Sequence, residues 1–105
     1  MSSSAAARRG AALAFVALIG LVACAGAPVQ EMSDARQAIA AARSAGAAER
    51  APEQFKLATS LLAQAEAALE KHDYKAARRQ AQQARTKAMQ ALRASSSERR
   101  QADDG

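Results

Sequence analysis

The sequence predicts an all-α protein, and three observations lead there. Half of the 105 residues are apolar, but most of these are alanine, the strongest helix former and one that loses no side-chain entropy in a helix. Residues suited to a sheet are scarce, with no Trp, two Phe, one Tyr and few β-branched positions. Beyond residue 28, apolar and small side chains recur at alternating spacings of three and four, which places them on one face of a helix. The expected architecture is an antiparallel helical hairpin or a small three-helix bundle or coiled coil. A chain this short holds one domain at most, and its alanine seams bury little area.

The N-terminus reads as an address. Arg8 and Arg9 precede a 13-residue apolar run from Ala11 to Ala23, the charged and apolar regions of a secretory signal. A spanning helix needs about 20 apolar residues, so removal of residues 1–23 is expected rather than a permanent membrane span. Gly10, Ala11 and Ala12 match the twin-arginine export pattern poorly, which favours ordinary Sec export. The run ends Leu21-Val22-Ala23-Cys24, which resembles the lipobox of bacterial lipoproteins. That resemblance implies cleavage before Cys24, a thioether-linked diacylglycerol on its sulfur and an acyl chain on the new amine. Two or three chains make such an anchor effectively stable, since each buried methylene contributes about 0.8 kcal/mol. Ala25 stands where inner-membrane lipoproteins commonly carry Asp, so the resemblance places the protein on the periplasmic face of the outer membrane. Residues 24–28 are then a lipidated tether.

Three helices are expected in an Ala-rich domain spanning residues 29–94. The first, over about 29–48, presents Met32, Ala35, Ile39, Ala42 and Gly46, with Ser33 or Asp34 suited to its first turn and Gly46 near its end. Pro52 disfavours helix at Ala51 and suits the first position of a new one, so the break falls within 46–51. The second helix, over about 52–71, carries the strongest stripe: Phe55, Ala58, Leu62, Ala65 and Leu69, widened by Leu57 and Leu61. Asp73 can cap a third helix, over about 73–94, by accepting a backbone N–H two or three residues on. The seam of that helix is Tyr74, Ala77, Ala81, Ala84, Ala88 and Ala91 or Leu92, with Tyr74 as the aromatic plug of the hairpin. Residues 95–105, opening Ser-Ser-Ser, show no apolar periodicity and are expected to be disordered.

Ala27-Pro28 after Cys24, Ala45-Gly46-Ala47, Ala51-Pro52, the Leu61 to Leu69 stretch, Asp73-Tyr74 and the alanines at 77, 81, 84 and 88 together resemble the bacterial lipoprotein family known as domain of unknown function 4398. The similarity runs from about Pro28 to Ala94. Family members carry Gly before Asp-Tyr, where this chain has His72. Some relatives continue into a peptidoglycan-binding domain of the outer-membrane-protein A type, and that wall-binding function is not carried over to residues 1–105.

Formal charge is +5, with 15 basic and 10 acidic residues, and Arg8 and Arg9 would leave with the signal. A modest positive excess without aromatic platforms for stacking bases argues against nucleic acid as a partner. One cysteine allows no internal disulfide. Catalysis is not expected: a single His, no free thiol once Cys24 is acylated, and acids scattered along helices give no converging set, no metal site and no cofactor beyond the covalent lipid. His72 is expected as a turn residue tolerating left-handed geometry.

The function expected is therefore that of a lipid-anchored helical envelope protein, a structural or partner-docking module whose task and oligomeric state the sequence leaves open. One alternative is a homo-oligomer formed through alanine seams, in the manner of murein lipoproteins, although those attach to the wall by a terminal lysine and this sequence closes on Asp103-Asp104-Gly105. Another is contact with an anionic envelope surface or wall polymer through Lys75, Arg78, Arg79, Arg85, Lys87 and Arg93, which occur with no acid between Asp73 and Glu98.

Overall fold

The structure, a computed structural model, describes residues 26–104. The signal segment, Leu21, Val22, Ala23 and Cys24 lie outside the described residues. Four helices pack pairwise: α1 (Val29–Ser44), α2 (Ala47–Arg50), α3 (Pro52–Glu70) and α4 (Tyr74–Asp104), with no strand among the described residues. The first helix joins the others, packing against both α3 and α4.

The core is a stack of three small clusters, and α4 contributes to each. Ala81 and Ala84 meet Met32, Ala35 and Ala65; Ala88 meets Ala38, Ile39 and Ala58; Ala91 meets Ala42, Ala47 and Ala51. Residue numbers rise along α1 and α4 from cluster to cluster while they fall along α3, which sets the direction of each helix in the stack. Alanine at every α4 contact position allows backbones to approach to the short end of the 8–10 Å range for packed helices. Leu61, Leu62, Phe55, Met89 and Leu92 close the edges of the clusters and stay partly exposed. Leu57 does not widen the stripe as expected: it is 44% exposed, in the open cleft that α3 shares with Lys87 and Gln90 of α4.

The first helix ends at Ser44, earlier than the periodicity predicts. Gly46 adopts φ 81°, a left-handed conformation open to glycine at little cost, and its N–H returns to the Arg43 carbonyl at 3.0 Å. The Gly46 carbonyl then accepts from Glu49 and Arg50 at 3.2 and 3.0 Å, which builds the single turn of α2 inside the expected break. This turn brings Ala47 and Ala51 into the third cluster. Pro52 opens α3 at its first position, as expected. Ser33 and Asp34 fall past the first turn of α1, whose acid is Glu31; Asp34 instead accepts from the Gln30 amide at 2.9 Å.

The turn from α3 to α4 uses both of its expected residues. His72 has φ 60°, its N–H bonds to the Leu69 carbonyl at 3.0 Å, and the Asp73 N–H reaches back to the Ala68 carbonyl at 2.9 Å. That pair of bonds is the Schellman closure of a helix C-terminus. Asp73 then caps α4, its Oδ1 accepting from the Ala76 N–H at 3.3 Å. Tyr74 is only half-buried and lies outside the three clusters. Its hydroxyl is 3.0 Å from His72 Nδ1, with the two rings edge to face at 5.8 Å.

The expected disordered tail is overturned: α4 continues through Asp104. Ser95 follows Ala91 by one turn on the seam, is close to alanine in size and is completely buried. Its hydroxyl donates to the Ala91 carbonyl at 2.8 Å, so burial leaves no polar atom unmet. One turn later, Arg99 Nη2 donates to the Ala45 carbonyl at the open end of α1 at 3.4 Å. Composition suggested an end, but the seam runs one turn into it.

His72→Gly is expected to stabilise the fold by roughly 0.5–1 kcal/mol, because it relieves a non-glycine residue in the left-handed region. His72→Ala, which loses the Tyr74 contact and keeps the strain, should not stabilise; urea unfolding of both variants checks this. Ala84→Leu should cost about 1–3 kcal/mol by overpacking the seam, read by the same titration.

Candidate functional site

Six cations on α4 are the candidate site, and they do not share one face. At about 100° per residue, Lys75, Arg79 and Arg93 fall opposite the alanine seam. They are exposed there together with Gln82, Thr86, Ser97 and Arg100. Arg85 sits on the flank facing α1, in an open cleft of about 430 Å³ shared with Gln30, Glu31, Asp34, Gln82 and Thr86. Lys87 sits on the opposite flank, over Glu53, Gln54 and Leu57 of α3. The two flanking cations thus face acids from neighbouring helices.

Arg78 is the exception among the six. Its Nε lies 3.4 Å from Glu31 Oε1 on α1, and its Nη2 donates to the Gly26 carbonyl at 3.1 Å, across 52 positions of sequence. Both charged side chains are about one-third exposed, so this is a half-buried clamp between α4, α1 and the segment leading into α1. Charge counting along α4 could not reveal it. The available signal was the helical wheel, which puts Arg78 about a quarter turn from Ala77 and therefore beside the seam.

Two further pairings join separate helices. Arg36 and Glu66 form an exposed ion pair at 3.6 Å, and the Arg43 guanidinium lies over the Phe55 ring at 5.4 Å. Among the described residues, no group of three or more His, Cys, Asp or Glu side chains is placed to hold a metal ion. No described helix is long and apolar enough to cross a membrane.

These features define the class as a small alanine-seamed helical bundle whose α4 presents an outward stripe of cations and neutral polar groups. Residues 30–104 match the family described as Domain of unknown function (DUF4398), and the chain belongs to that family. The match extends past Ala94 over the last turns of α4, in keeping with the helix continuing through Asp104. No curated protein and no solved structure matches the chain.

A double-mutant cycle on Glu31→Gln and Arg78→Gln is expected to give a coupling of about 0.2–1 kcal/mol, the range of partly solvated ion pairs, shrinking as salt is raised.

Proposed function

We propose that this protein is a lipid-anchored component of the bacterial cell envelope, a non-catalytic bundle that serves as a structural or partner-docking module on the periplasmic face of the outer membrane. The single observation that carries this reading is the apolar run ending Leu21-Val22-Ala23-Cys24 directly before a helical domain. Cys24 carries the lipid, Leu21, Val22 and Ala23 direct its processing, and α3 and α4 act as an antiparallel hairpin onto which α1 folds. A fold held by alanine seams offers a rigid rod with little internal space. That suits presentation of a surface more than enclosure of a substrate.

The alanine-zipper alternative is disfavoured by one specific feature. Ala77, Ala81, Ala84, Ala88 and Ala91 are completely buried within a single chain, so the seam that would drive self-association is already occupied. The second reading that retains support is contact with an anionic envelope surface. Lys75, Arg79, Arg93 and Arg100 form its basis, because they line the outward side of α4 with no acid between Lys75 and Arg93. Arg78, committed to Glu31 and Gly26, is not part of that stripe.

Cys24→Ala is expected to abolish acylation and block processing; an unacylated N-terminus of the wild-type mature protein by mass spectrometry overturns the anchor. Produced without acyl chains, the domain should sediment as a monomer. It should bind anionic vesicles or wall fragments better than neutral vesicles at low salt, and Arg79→Glu with Arg93→Glu should remove the difference. Equal binding to all surfaces leaves the stripe as a solvated face only.

A further inference from the structure

The segment just after the lipidation residue is not a free tether. The Gly26 carbonyl is held by Arg78 Nη2 at 3.1 Å, the Val29 N–H closes onto the Ala27 carbonyl at 2.8 Å, and Pro28 is fully buried. Glu31 holds the same guanidinium from the first turn of α1 at 3.4 Å. The point at which the chain leaves the bundle is therefore fixed beside the second turn of α4.

The geometry points to an orientation: we propose that the end of the bundle formed by the Lys71–Asp73 turn, the start of α1 and the first turns of α4 rests on the lipid head groups. Arg78 holds it there, and α4 runs away from the membrane. This rests on the reading of Cys24 as the lipid-bearing residue. Cys24 is two positions before Gly26, a span of at most about 7 Å. An acylated sulfur so close to a pinned residue brings this end of the bundle to the bilayer surface and no other. The 31 residues of α4 then carry its last turns about 46 Å from that end.

The surface at this end suits a bilayer interface of mixed character. Val29 is an apolar side chain left 73% exposed immediately after the buried Pro28, at a depth where it can meet the acyl boundary. Lys71, Lys75 and Arg79 are exposed at the same end of the bundle, placed to reach phosphates of anionic lipids. Of the acids at this end, Glu31 is paired with Arg78, while Glu70 and Asp73 are exposed and Asp34 is half-buried beside the Gln30 amide, so these three oppose the cations. The opposite end, where α1 meets α2, lies beside Ala91 and Ser95.

The experiment uses the acylated full-length mature protein in vesicles of phosphatidylethanolamine and phosphatidylglycerol, with nitroxides attached singly at His72→Cys, Ser97→Cys and Asp104→Cys. Mass spectrometry of Cys24 is recorded on each sample. Collisions with lipid-soluble and water-soluble relaxing agents should place position 72 at head-group depth and positions 97 and 104 in bulk water. Arg78→Gln should erase the contrast between positions 72 and 97, and Glu31→Gln should weaken it, while circular dichroism shows the helices intact. If Arg78→Gln fails to fold, Glu31→Gln alone carries the comparison. An acylated protein with positions 72 and 97 at equal depth overturns the orientation and leaves the anchor standing. An unchanged contrast in the folded variants overturns the role of Arg78. An unacylated Cys24 overturns the anchor reading itself.

Discussion

Close approach of helix backbones across alanine is the constraint on which the rest of the structure depends. Each of the three core clusters is built on a seam residue of α4 with no more than a methyl group to bury, so the neighbouring helices must come to it. Alanine contributes little hydrophobic energy per position. The fold compensates by length, repeating the contact at five seam positions and extending it by Ser95. Larger side chains such as Leu62, Phe55 and Met89 sit at the margins, where they seal the clusters rather than fill them.

Such a thin seam also decides where polar groups can go. With the inner arc of α4 reserved for small residues, its long cationic side chains are forced to the outer arc or to the two flanks. On the flanks they meet acids of α1 and α3; on the outer arc they are exposed. Arg78 shows how consequential a flank position is. One guanidinium joins α4 to both the first turn of α1 and the segment before it, which lie far from it in sequence, and it converts that lead-in from a tether into a docked segment. Pro28 and Met32, among the largest fully buried side chains, stand on either side of that clamp in sequence.

Turn chemistry at residues 71–76 was legible because each group acts locally. A cap is satisfied by an amide three residues away, and a left-handed position by the residue that occupies it. Gly46 was legible as an end for the same reason, although the turn of α2 that follows was not, because four residues carry no period. The tail was misread for a related cause. Ser95 resembles a loop residue in composition, and only its place one turn beyond Ala91 makes it a seam residue.

By itself the sequence determined the helical class, the faces Met32 to Ala42, Ala58 to Ala65 and Ala77 to Ala91, the break at Gly46 to Pro52 and the cap at Asp73. These follow from propensity, periodicity and hydrogen bonds within a few residues, which any segment reports without its neighbours. Tertiary structure decided what depends on partners far along the chain. It brought α1 onto both other long helices, extended α4 beyond Ser95, left Leu57 outside and divided six cations into an outward stripe, two flanks and one clamp. A periodic pattern states which side of a helix is buried, but not how wide that side is or which charges across the seam meet its edges. Those are set by the helices that arrive.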